Sequence, residues 1–191
     1  DVVSHSAAIS ACEKGKHWQG ALRLLQEMLQ RSRTPDVVSH SAAISACEKG
    51  KHWQGALRLL QEMLQRSRTP DVVSHSAAIS ACEKGKHWQG ALRLLQEMLQ
   101  RSRTPDVVSH SAAISACEKG KHWQGALRLL QEMLQRSRTP DVVSHSAAIS
   151  ACEKGKHWQG ALRLLQEMLQ RSRTPDVVSH SAAISACEKG K

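Results

Sequence analysis

Side chains with chemical capacity recur in this chain at a fixed interval. His5, Cys12 and His17 come back every 35 residues, and so do Ser6, Lys14 and Asp36. Histidine and cysteine together can hold zinc. Yet His5 and Cys12 stand two helical turns apart and no Cys-x-x-Cys pair occurs, so no metal is expected and Cys12 reads as a small buried residue. Cysteine–histidine catalysis fails on similar grounds: a catalytic centre needs one special geometry, and six equivalent cysteines offer none. No glycine-rich phosphate loop and no carboxylate dyad is present. The chain is therefore expected to be no enzyme and to need no cofactor.

The elements that position these groups follow from the interval itself. The unit Asp1–Pro35 recurs without substitution from Asp36, Asp71, Asp106 and Asp141, and a sixth copy runs from Asp176 to Lys191. Residues 1–191 are read as one solenoid of five repeats, 1–35, 36–70, 71–105, 106–140 and 141–175. The half repeat 176–191 acts as a cap over the last interface.

Within a unit, Pro35 stops one helix and Asp36 caps the next. The first helix is expected from Val2 or Val3 to Lys14, with Gly15 as its stop, and the second from His17 or Trp18 to Arg31. At about 100° per residue, Val3, Ser6, Ser10 and Lys14 share one narrow stripe. Val2, His5, Ala8, Ile9 and Cys12 fall opposite and read as core. On the second helix, Trp18, Ala21, Leu22, Leu25, Met28 and Leu29 form the buried stripe, widened by Leu24. The short loop Gly15–Lys16–His17 makes the two helices antiparallel neighbours. Stacked hairpins then line an inner wall with first helices, so the Val3–Ser6–Ser10–Lys14 stripe repeats along it once per unit.

Charge and composition narrow the partners. Each unit carries Lys14, Lys16, Arg23, Arg31 and Arg33 against Asp1, Glu13 and Glu27, and the chain totals +10. A basic surface favours polyanions. Trp18 and its copies are the only aromatics, which limits base stacking on rings. Cysteines 35 residues apart form no visible disulfide framework, so a reducing intracellular compartment is expected. No apolar run is long enough to span a bilayer, so no membrane partner is expected, and no signal peptide is visible.

The unit resembles the pentatricopeptide repeat. The resemblance rests on Val2–Val3, Ile9, Lys14–Gly15, Ala21–Leu22, Leu24–Leu25, Glu27–Met28 and the closing Pro35–Asp36, and it covers the whole chain. It departs in three places: His5 stands where an aromatic is usual, Ser6 replaces the commoner asparagine or threonine, and Trp18 is unusual. The resemblance implies an all-α fold, a right-handed α-solenoid of stacked antiparallel helical hairpins. It also implies binding of single-stranded RNA at one base per repeat, and a mitochondrial or chloroplast location.

Carried over residue by residue, it pairs Ser6 with Asp36, Ser41 with Asp71, Ser76 with Asp106, Ser111 with Asp141 and Ser146 with Asp176 as base readers, and leaves Ser181 without a following partner. Val3, Val38, Val73, Val108, Val143 and Val178 would clamp bases, and Lys14, Lys49, Lys84, Lys119 and Lys154 would meet phosphate. In this family a small hydroxyl paired with aspartate implies guanine, hence a guanine-rich target. A carboxylate only accepts hydrogen bonds and guanine's Watson–Crick edge offers N–H donors, although uracil has one too.

Two other readings stand beside this one. A peptide-binding array like the tetratricopeptide repeats also stacks helical hairpins, but at 34 residues and with aromatic-rich helices. A designed or expanded perfect repeat with no optimised ligand is the third. Identical units also favour self-association through the repeat ends.

Overall fold

Pro and Asp at each repeat junction and Gly-Lys-His at each hairpin divide the chain into helices of thirteen residues. The computed structural model describes residues 2–66, 68–101, 103–136, 138–171 and 174–190, with Val2 as backbone only. The described residues form eleven α-helices and no strand. The first helices of the repeats are α1 (Val2–Lys14), α3 (Val37–Lys49), α5 (Val72–Lys84), α7 (Val107–Lys119), α9 (Val142–Lys154) and α11 (Val177–Lys189). The second helices are α2 (Trp18–Gln30), α4 (Trp53–Gln65), α6 (Trp88–Gln100), α8 (Trp123–Gln135) and α10 (Trp158–Gln170).

The helices fall into two compact units, Asp1–Thr104 with α1–α6 and Pro105–Lys191 with α7–α11. Inside each unit the packing rule is the same. A first helix packs on the first helix before and after it, on its own second helix, and on the second helix of the preceding repeat. The fold is all-α and of the α-solenoid class, since each hairpin buries its apolar surface only by stacking.

That rule changes which residues form the core. His40, Ala43, Ile44 and Cys47 are buried, matching the expected face. Ala42 and Ala46 are buried as well, because first helices touch on both sides and only a methyl fits between them. The side chain of Val2, assigned to the core from the sequence, lies outside the described residues. On the second helix the buried stripe is centred on Ala56, Leu59, Leu60 and Met63. Leu57 and Leu64, expected within it, are only half-buried and border a groove between α4 and α6. The Leu24-type residue is therefore central, because the second helix must face its partner and the next repeat together. Fully burying each Ile, Leu or Met contributes about 2–3 kcal/mol. The same surface is open on α11, where Ile184 is 62% exposed against 0% for Ile149.

The hairpin stop differs from expectation in its cause. The left-handed residue is lysine, with φ of 59° at Lys16 and 58° at Lys51, Lys86 and Lys121. Gly50 itself sits at φ −84°. The His52 amide donates to the Cys47 carbonyl at 2.8 Å, a six-residue closure that holds Lys51 in this conformation. Glycine is required there by packing: a Cβ on Gly50 would lie 2.3 Å from Cδ1 of Trp18. Trp18 also stacks on His52, with ring centroids 3.8 Å apart. Trp18, Trp53 and Trp123 thus tie their repeats to the loop of the next and are packing elements rather than groove-lining ones.

Cys47, Cys82, Cys117 and Cys152 are fully buried, and burial pushes their thiols up to about 11 or 12. Only the thiolate reacts. Mass spectrometry after brief alkylation at neutral pH is expected to show modification at Cys12 and Cys187, which are partly exposed, and none at the four buried cysteines until denaturant is added.

Candidate nucleic-acid interface

The stripe Val–Ser–Ser–Lys is open along the first helices. Val38, Val73, Val108 and Val143 are 62–64% exposed, unusual for valine, and Val3 and Val178 are exposed too. Ser41, Ser76 and Ser111 are half-buried, and Ser146 nearly buried. One turn further on each helix are Ser45 and then Lys49, which is exposed.

The acid at each junction is held in one orientation. Asp36 has extended backbone, φ −84° and ψ 179°, as an N-cap should. Its Oδ1 accepts the Ser39 amide at 2.8 Å and the Ser39 hydroxyl at 2.7 Å. Asp71, Asp106, Asp141 and Asp176 repeat both bonds within 0.1 Å. The Ser39 hydroxyl, then its amide, holds the Asp36 carboxyl below the usual carboxylate range, with Arg68 assisting. For Asp176 the Ser179 amide leads, followed by the Ser179 hydroxyl. Asp36 and Asp176 are thus charged at neutral pH, and in every repeat the cap bonds occupy Oδ1.

The hydroxyl and the acid of successive repeats converge. Ser146 Oγ lies 3.2 Å from Asp176 Oδ1, and Ser111 Oγ lies 3.5 Å from Asp141 Oδ1. A third residue joins them. Ser6 meets Ser39 at 2.7 Å, Ser41 meets Ser74 at 2.6 Å, Ser111 meets Ser144 at 2.7 Å and Ser146 meets Ser179 at 2.8 Å. These serines of the Ser39 type are fully buried. Sequence reasoning passed over them, although a serine three residues after an N-cap aspartate is a readable signal. Ser76 sits on α5 and Asp106 caps α7, at the same places in their repeats as the other pairs.

The histidine at the usual aromatic position stands behind this site. His40 is 1% exposed, and its Nδ1–H donates to the Asp36 carbonyl at 2.9 Å. The ring thereby anchors the backbone of the residue whose carboxylate lines the groove.

Three of the lysines expected at phosphate, Lys49, Lys84 and Lys154, are already engaged, and so is Lys189. Lys49 reaches Glu13 at 2.8 Å; Lys84–Glu48, Lys154–Glu118 and Lys189–Glu153 are each 2.6 Å. Each pair links a first helix to the one before it. Exposed pairs of this kind are worth about 0–1 kcal/mol, so a phosphate can compete for the lysine. The site's own residues (Glu48, Lys49 and Asp36 in one repeat) carry one net negative charge. The chain's positive surplus comes instead from the hairpin lysines and the arginines of the second helices and junctions. Among the described residues, no three His, Cys, Asp or Glu side chains stand close enough to share a metal ion.

One valine, one hydroxyl and one capped carboxylate per 35 residues, repeated on the first helices, define a tandem helical-hairpin array. The sequence signature of the pentatricopeptide repeat domain matches residues 56–120 and 128–189, and the shorter repeat signature matches 3–32, 38–67 and 108–137. The chain belongs to the pentatricopeptide repeat family.

Solved structures agree in fold. The pentatricopeptide repeat protein PPR10 from maize is similar over 99% of this chain, at 23% identity and TM-score 0.71. A second PPR10 structure, in complex with an 18-nucleotide psaJ RNA element, is similar over the whole chain at 22% identity and TM-score 0.70. The chain spans 27% of PPR10 in both. The PPR domain of Arabidopsis thaliana protein-only RNase P 1, solved in complex with tRNA, matches 94% of this chain and 95% of its own length, at 12% identity and TM-score 0.78. No curated protein sequence matches the chain significantly.

Proposed function

We propose that this chain binds single-stranded RNA along its first helices, one base per repeat, with a preference for guanine runs, and that it acts by binding alone. The observation that carries the proposal is the convergence of a serine hydroxyl and a charged aspartate from successive repeats, 3.2 Å apart at Ser146 and Asp176. Exposed valines on the same stripe supply an apolar surface against which a base can lie. The solved complexes of PPR10 and of the RNase P 1 PPR domain with RNA support the choice of partner.

The preference follows from the cap. With Oδ1 of Asp36 occupied by Ser39, the second carboxylate oxygen is the one available to a base, and it can only accept. Guanine offers N1–H and N2–H at adjacent positions of its Watson–Crick edge. Identical repeats then imply a block of about five guanines. The lysines contribute through phosphate by exchanging their glutamate partners.

The test is binding to four single-stranded RNAs that differ only in a central five-base block, in lithium buffer so that guanine runs stay unstructured. Tightest binding is expected for the guanine block, with log affinity falling against log salt at about 0.7 per phosphate neutralised. Equal affinity for all four blocks removes base reading, and no binding at low salt removes RNA as the partner.

A further inference from the structure

We propose that the buried serine on the first turn of a first helix, seen at Ser39, Ser74, Ser144 and Ser179, is a positioning residue that sets which way the reading hydroxyl points its proton. It thereby determines that each repeat presents two acceptors to its base. The inference rests on the base-reading function proposed above and names a specificity determinant within it.

The argument is a count of protons. A serine hydroxyl has one. Ser74 Oγ gives its proton to Asp71 Oδ1 at 2.7 Å. Ser41 Oγ lies 2.6 Å from Ser74 Oγ, so in that bond Ser41 must be the donor. The Ser41 proton is then directed into the protein, and its remaining lone pair is what a ligand meets. The same chain runs from Ser111 through Ser144 to Asp141, and from Ser146 through Ser179 to Asp176. For Ser146 the carboxylate oxygen is itself within 3.2 Å, so with either partner the proton stays inside. Reversing the chain would take the Ser74 proton away from a carboxylate. That gives up a charge-assisted bond, about twice as strong as a neutral one, at a serine with no solvent access.

The chemical consequence is discrimination between purines. A serine lone pair beside a carboxylate oxygen is an acceptor–acceptor pair. Guanine meets it with two donors, N1–H and N2–H. Adenine brings one donor, N6–H, and a lone pair at N1, so one contact becomes repulsive. Uracil has a single N–H between two carbonyls. Without Ser74, the Ser41 hydroxyl is free to turn and donate, and a donor beside an acceptor fits adenine; at Ser146 the carboxylate oxygen 3.2 Å away still holds the proton.

The experiment uses the full chain with Ser39, Ser74, Ser109, Ser144 and Ser179 all changed to alanine, and a second protein with the same five positions changed to threonine. The parent and both variants are titrated with the guanine-block and adenine-block RNAs at matched salt, with melting followed in parallel. The cap bond from the backbone amide to aspartate survives both changes. The alanine variant is expected to lose at least about tenfold of its guanine-over-adenine ratio, since one hydrogen bond per base is worth about fivefold. Threonine keeps the hydroxyl and is expected to restore the ratio. A merely structural serine would weaken both RNAs alike and leave the ratio unchanged, and that result overturns the inference. A parent with no guanine-over-adenine preference overturns the base-reading function itself. Should the fivefold variant not fold, Ser74→Ala alone is tested against RNAs carrying one adenine at each position of the block. Relaxed discrimination at a single position is expected, and uniform discrimination overturns the inference.

Discussion

Replacing Asp36, Asp71, Asp106, Asp141 and Asp176 together by asparagine is expected to invert the base preference from guanine to adenine. Asparagine has one oxygen, and the cap determines where it goes. The Ser39 amide, 2.8 Å from Asp36 Oδ1, needs an acceptor and will take the amide oxygen. The amide nitrogen then occupies the place of the second carboxylate oxygen and presents N–H donors to the base. Adenine N1 accepts there, while adenine N6–H still meets the reading serine. Guanine N1–H now faces a donor, and an unmatched pairing of this kind costs about 1–3 kcal/mol per site. Neighbouring sites do not add fully, so the expected swing over a five-base block is on the order of 100-fold or more. The fold should tolerate the change, because asparagine caps helices about as well as aspartate. Loss of five negative charges raises affinity for every RNA, so titrations are compared at equal salt. Retention of guanine preference in this variant would reject the assignment of the reading pair.

Acid is expected to weaken the fold already above the pH at which carboxylates protonate. His40 and His75 are buried, and burial holds their rings below the ordinary histidine value of 6.5; the Arg68 and Arg66 guanidiniums push His40 the same way, against its bond to the Asp36 carbonyl and the nearby Glu62. His75 has the equivalent partners in Asp71, Glu97, Arg103 and Arg101. Above 6.5 both folded and unfolded forms carry neutral rings and the stability is complete. Below 6.5 the unfolded chain takes up protons that the folded chain refuses, so stability falls with pH until the folded rings also protonate. The limiting slope is about 1.4 kcal/mol per pH unit for each histidine. His40 and His75 therefore both make the fold less stable at pH 5 than at pH 7. His52, His87 and His122 add in the same direction, with burial first and then a neighbouring arginine as the cause, discounted for their partial exposure. Asp36 and Asp176 act in a separate window: their depressed carboxyls stabilise the fold above about 3.8 and lose that contribution only as pH falls below it. Urea melts at pH 7 and pH 5, followed by helix signal, measure the difference. Equal midpoints would show that the rings are protonated without cost.

Much of the site was readable before any coordinates. The 35-residue period, the Pro-Asp junction and the spacing of Val3, Ser6, Ser10 and Lys14 place those residues on one open stripe, and Val38, Ser41, Ser45 and Lys49 occupy it. The aspartate cap was readable because an acid after a proline and before a periodic apolar run has one local use. Four things were not. Gly50 looked like a residue chosen for a left-handed turn, yet the turn residue is Lys51 and the glycine makes room for Trp18 from the preceding repeat. Lys49 looked like a cation awaiting phosphate, yet Glu13 from the preceding repeat reaches it. Ala42 and Ala46 belong to neither the expected core face nor the open stripe, yet they sit where first helices meet. Ser39 looked unremarkable, yet it joins two residues 30 positions apart.

The division has one physical cause. Helix boundaries, caps and the exposed stripe depend on residues within a turn or two of each other, so the order of side chains along the chain determined them. The partner of Trp18, the engagement of Lys49 and the direction of the Ser41 proton depend on residues about one repeat away. Which atoms meet across that distance is set by how one hairpin seats on the next, and only the stacked structure decides it.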